Sequence, residues 1–113
     1  MPFIKLSTNL PVADDTKALI VKSLGKSISL LPGKSETWLM VDVQGGRSLF
    51  FQGSDSPCLM AEVKLYGRSD KRNYQALAEA ITSLAQESLE IPSSRVYVEF
   101  EETPYWAFDG NLF

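Results

Sequence analysis

Polar and apolar positions alternate from Phe3 to Thr8, with Ile4, Leu6 and Thr8 on one side and Lys5 and Ser7 on the other. A period of two marks a half-buried strand, so a strand begins almost at Met1. Asn9-Leu10-Pro11 interrupts it, and Asp14 and Asp15 suit a helix start. Ile20, Leu24, Ile28 and Leu31 then recur at helical spacing, with Lys17, Lys22 and Lys26 on the wet face, until Pro32-Gly33 stops the run. Trp38 to Gln44, rich in aromatic and β-branched residues, predicts a second strand. Gly45-Gly46 predicts a hairpin turn into the short run Leu49-Phe50-Phe51.

After Gly53-Ser54-Asp55-Ser56-Pro57 the same order returns. Leu59, Ala61, Val63 and Leu65 alternate with Met60, Glu62, Lys64 and Tyr66, and Gly67 closes this strand. Ser69 or Asp70 can cap a helix whose Tyr74, Leu77, Ala78, Ile81, Leu84, Ala85 and Leu89 form one stripe, ended by Ile91-Pro92. Arg95 to Glu101 predicts the last strand, with Val96, Val98 and Phe100 inward.

Phe3 and Trp38 lie 35 residues apart, Met60 and Val96 36. The chain therefore reads as one domain, residues 1–113, built from two βαβ repeats at 1–52 and 53–113. Right-handed crossovers place both helices on one face of a four-stranded sheet. The expected fold is α+β in two layers, with short extra strands. The opposite sheet face is expected to carry apolar side chains that nothing else in the chain covers, which predicts a partner subunit.

Composition narrows the chemistry. With no histidine and one cysteine, the chain cannot use Ser-His or Cys-His pairs, imidazole metal ligands, an internal disulfide or a multi-cysteine zinc site. No metal and no cofactor are expected, and an enzyme of this composition needs a base other than imidazole. A net charge of −3 argues against nucleic acid as a partner. The apolar runs are too short for a signal peptide or a membrane span, so a cytoplasmic chain without a membrane partner is expected.

Met1-Pro2-Phe3-Ile4, Asn9-Leu10-Pro11, Gly33-Lys34, Gly53-Ser54 with Pro57-Cys58, and Arg95-Val96-Tyr97-Val98 follow one another on this duplicated background. In these segments, and over nearly its whole length, the sequence resembles the macrophage migration inhibitory factor family of the tautomerase superfamily. The resemblance implies a homotrimer whose sheets surround a central space, with sites at subunit interfaces. It also implies keto–enol tautomerisation of phenylpyruvate-like α-keto acids, the chemistry of phenylpyruvate and dopachrome tautomerases. Pro2, freed by removal of Met1, is the implied general base. An α-amine ordinarily titrates at about 8, and burial beside cations lowers that value.

Lys34 is implied as the ligand of the substrate carboxylate. Tyr66 stands where the family usually has an aliphatic residue whose backbone amide helps hold that carboxylate. Tyr97 is implied to line the pocket of a neighbouring subunit, and Trp106 and Phe108 are candidates for its aromatic walls. Glu99 departs from the asparagine of the best-known members, which hydrogen-bonds an aromatic substrate's hydroxyl; a carboxylate there would repel an anionic substrate or pair with a nearby lysine. Ala61 replaces the second cysteine of the vertebrate Cys-x-x-Cys, so dithiol chemistry is excluded and Cys58 reads as a buried structural residue.

A competing reading is a cytokine-like protein, secreted without a signal peptide, that binds a protein receptor and keeps a weak or vestigial site. A third is decarboxylation or hydration of a small acid with Glu99 activating water. Relatives of that kind rely on pocket arginines, and none of Arg47, Arg68, Arg72 and Arg95 is evidently placed for that role.

Overall fold

The computed structural model describes residues 1–113. The strands are β1 (Pro2–Thr8), β2 (Met40–Gln44), β3 (Leu59–Tyr66) and β4 (Val96–Thr103), with helices α1 (Asp14–Ser27) and α2 (Lys71–Leu89) as the crossovers. They form one sheet in the order β2-β1-β3-β4, parallel within each repeat and antiparallel where β1 meets β3. A hairpin of two short strands, β5 (Ala107–Phe108) and β6 (Asn111–Leu112), ends the chain.

The duplication is closer in register than in sequence spacing. Phe3 pairs with Met40 and Leu59 with Val96, so both repeats join residues 37 apart. The expected second strand starts two residues late, because Glu36–Trp38 forms a 3₁₀ turn before Met40.

Strict alternation puts Ile4, Leu6, Ala61, Val63 and Leu65 against the helices, where each is at most 3% exposed. Ile20 and Leu24 of α1 and Leu77, Ile81 and Ala85 of α2 close the core from the other side. Burial of each large aliphatic side chain contributes about 1.5–3 kcal/mol. α1 stops at Ser27, earlier than its apolar spacing suggests, yet Ile28 and Leu31 remain fully buried beyond it. Asp70 occupies the N-cap of α2, though its side chain makes no capping bond. Instead Tyr74 stacks on Phe100, its hydroxyl donates to Glu102, and the Ser69 amide donates to that hydroxyl at 2.9 Å. Burial, and then the Glu102 bond, push the Tyr74 phenol above its usual titration range.

Two expectations fail between β2 and β3. Gly45-Gly46 makes no hairpin, and Leu49-Phe50-Phe51 makes no strand; Phe51 forms only an isolated bridge with Ser54. The Gly46 and Arg47 amides donate back to the Leu10 and Thr8 carbonyls at 2.8 and 3.0 Å. The remainder of this loop is fixed by two polar side chains. Asn9 Nδ2 donates to the carbonyls of Leu49, Asp55 and Ser56, and its Oδ1 accepts from the Cys58 amide. The Arg95 guanidinium donates to the carbonyls of Phe51, Ser54, Ser56 and Pro57 at 3.0–3.1 Å.

The sheet face away from the helices is also unlike the expectation, because it is charged rather than apolar. Its middle row runs Asp42, Lys5, Glu62, Glu99, and the adjacent row runs Met40, Phe3, Lys64, Glu101. Strand alternation sends the long aliphatics inward and leaves these ionic side chains outside. Lys64 and Glu101, 3.7 Å apart, make the only ion pair in the chain. Exposed apolar groups gather instead at the two ends of the sheet: Phe50 and Tyr97 at one, Trp38, Met40, Phe108 and Phe113 at the other. Cys58 is buried and unpaired.

Candidate active site

Pro2 opens β1 and is almost completely buried, paired across the sheet with Leu65. Beside it the Tyr66 amide donates to the Met1 carbonyl at 3.2 Å. Lys34 Nζ donates to the Tyr66 carbonyl at 3.0 Å. The loop before β2 thus delivers a cation to the start of β1, because β1 and β2 run parallel and begin at the same end.

The α-amine, carried by Met1 here, is pushed down from 8.0 to about 6. Burial is the larger cause, and the charge of Lys34 the next. Both disfavour the ammonium form, so a chain-terminal amine in this corner is a free base near neutral pH. The Lys34 ammonium donates to the Tyr66 carbonyl and hydrogen-bonds toward the α-amine, and its positive charge suits an incoming carboxylate.

Aromatic groups stand around the same end. Phe113 lies against Tyr66 with ring centroids 5.7 Å apart, and its amide donates to the Trp106 carbonyl at 3.0 Å. Phe108 meets Trp38 edge to face at 5.0 Å. The terminal hairpin is thereby held beside Pro2, Lys34 and Tyr66. Trp38 and Phe113 join this setting without having been singled out as site residues. Trp38 looked like a strand residue, and Phe113 had no neighbour in sequence to betray its contact with Tyr66.

Tyr97 is elsewhere. Pro2 pairs with Leu65 and Tyr97 with Met60, five residues apart on β3, which separates their rows by about 17 Å. Tyr97 packs on Phe51 at 4.7 Å and lines an apolar hollow of about 290 Å³ with Leu49, Phe50, Cys58 and Met60. Glu99 lies between the two ends on the charged face. A single chain therefore assembles Pro2, Lys34 and Tyr66, places Trp106 and Phe108 nearby, and keeps Tyr97 and Glu99 apart from them.

Residues 1–112 match the family described as Macrophage migration inhibitory factor (MIF). The chain belongs to the MIF family. A MIF homolog of Brugia malayi is 31% identical over 115 residues, covering 100% of this chain and 99% of its own length. The crystal structure of a MIF homologue from Prochlorococcus marinus superposes with a TM-score of 0.88 at 30% identity, covering 98% of both chains. A MIF protein of Leishmania major superposes at 0.93 over 100% of this chain and 97% of its own, and at 23% identity that likeness concerns the fold. This MIF-family chain has the two-layer α+β fold expected from its repeats, and the family includes tautomerases and cytokine-like members.

Proposed function

We propose that this protein is a keto–enol tautomerase of phenylpyruvate-like α-keto acids, working as a homotrimer with Pro2 as general base after loss of Met1. The observation that carries this reading is the depressed α-amine beside Lys34 at the start of β1. Removal of Met1 transfers the free α-amine to Pro2, a buried residue, whereas Met1 is half-buried. Burial and the Lys34 charge act there in the same direction, against the ammonium form.

Lys34 binds the substrate carboxylate through charge-assisted hydrogen bonds, helped by the Tyr66 backbone. The neutral Pro2 amine takes the proton from the enol and returns it to the adjacent carbon, giving the ketone. A positioned base of this kind contributes about 10²–10⁴-fold. Trp106 and Phe108 flank the aromatic end of the substrate, and Tyr97 arrives from a neighbouring subunit, since its own chain keeps it at the far end of the sheet.

The test follows the loss of phenylpyruvate enol absorbance with protein whose N-terminus has been determined by mass spectrometry. Chains beginning at Pro2 should be active, and chains retaining Met1 or carrying Pro2→Gly should lose most of the rate. Equal rates for all three would remove Pro2 as the base.

A further inference from the structure

On the reading of Tyr97 as part of a site shared with Pro2 of the neighbouring subunit, we infer that Phe51 is the positioning residue for Tyr97. It braces the Tyr97 ring in the orientation that the neighbour's substrate meets.

Phe51 sits in the loop between β2 and β3, where no regular element holds it. Its backbone is nevertheless fixed at both polar atoms. The amide donates to the Ser54 carbonyl at 2.9 Å, and the carbonyl accepts from the Ser54 amide at 3.0 Å and from Arg95 Nη1 at 3.1 Å. The ring is fixed as well. The Arg95 guanidinium stands over it, 5.3 Å from the centroid, where the ring quadrupole attracts a cation. The Tyr97 ring packs on it at 4.7 Å, tilted by 35°. Arg95 and Tyr97 lie two residues apart at the start of β4, so one short stretch of chain grips Phe51 by backbone and by ring.

This grip does not serve the core. Neither Phe51 nor Tyr97 belongs to the apolar cluster between sheet and helices. Tyr97 alternates with the inward Val96 and Val98, and it is 59% exposed even with Phe51 against it. A tyrosine on an open strand face has two common χ1 wells to choose from. Phe51 is the one aromatic ring that Tyr97 meets, and the contact selects an orientation before any ligand arrives. A side chain ordered in advance costs less to immobilise when the ligand binds. The loop thus holds Phe51 still so that Tyr97 is held still, with its free surface turned outward from its own chain.

The experiment measures kcat and KM for phenylpyruvate with chains beginning at Pro2: native, Phe51→Leu, Phe51→Tyr, Tyr97→Ala and the Phe51→Leu/Tyr97→Ala double variant. Phe51→Leu should raise KM about three- to tenfold with kcat nearly unchanged, and Phe51→Tyr, which keeps a ring, should hold the native KM. The double variant should be no worse than Tyr97→Ala, because Phe51 acts only through that ring. A native KM in Phe51→Leu, a Phe51→Leu chain that no longer assembles, or a double variant in which the two losses multiply overturns the role of Phe51 while leaving Tyr97 in the site. Native kinetics in Tyr97→Ala overturn the shared site, and absence of turnover by the native protein overturns the tautomerase reading; this inference falls with either.

Discussion

The proposed mechanism gives Lys34 two roles that can be separated by measurement. The lysine depresses the α-amine through its charge, and it offers a cation to the substrate carboxylate. A base held below the ordinary α-amine value of about 8 should give kcat/KM that rises through its lowered pKa and levels above it. In Lys34→Met the rise should move upward, toward the ordinary value of about 8 but short of it, because burial remains the larger cause of the depression. KM should rise in the same variant as the carboxylate loses its partner. A pH profile of kcat/KM decides this: an unmoved limb would mean that Lys34 does not act on the amine. The same shift has a consequence for folding. The unfolded amine binds a proton between about pH 6 and 8 that the folded one does not, so this group's contribution to stability grows as pH rises through that window.

Elements with one buried face were legible in the sequence, because a period of two or of nearly four leaves a trace in residue order. The loop between β2 and β3 left none, since its order comes from Asn9 and Arg95 fanning out onto backbone carbonyls of residues distant in the chain. Arg95→Met should therefore destabilise the fold by about 2–3 kcal/mol, with three half-buried carbonyls and one exposed carbonyl losing a charged donor. Thermal or urea unfolding would measure it, and a loss below experimental error would show the loop to be held by other contacts. Gly45 predicts a second effect on the same segment. A Cβ there would stand 3.0 Å from the Val12 nitrogen and 3.1 Å from the Leu10 oxygen, both backbone atoms. Gly45→Ala should cost about 1–3 kcal/mol for that crowding, read from the same unfolding curves.

At the scale of the whole molecule, the sequence pointed to a partner for a reason that the structure replaces. The sheet face is not apolar, because Lys5, Glu62, Lys64, Glu99 and Glu101 alternate with the core positions. Apolar groups exposed at both ends of the sheet point to a partner instead, and the proposed site adds the separation of Pro2 and Tyr97 within one chain. A site shared between subunits makes a sharp prediction. Chains carrying Pro2→Gly and chains carrying Tyr97→Ala, each weak alone, should regain activity when co-expressed, since mixed trimers contain sites joining an intact Pro2 to an intact Tyr97. Activity no greater than the sum of the separate preparations would place both residues in one chain or make Tyr97 irrelevant. The distance between them could not be read from residue order, because it depends on which rows of β3 they meet.

The solitary Lys64–Glu101 pair carries a last consequence. Both side chains are about half exposed, so the pair adds little to stability, and there is no wider ionic network for counterions to weaken. The interaction proposed for Lys34, by contrast, is that of a charge with a dissolved ligand. Ionic strength should therefore act on capture and leave the fold nearly alone. In chloride salt of about 1 M, where screening extends only about 3 Å, the melting temperature should hold while KM for the keto acid rises.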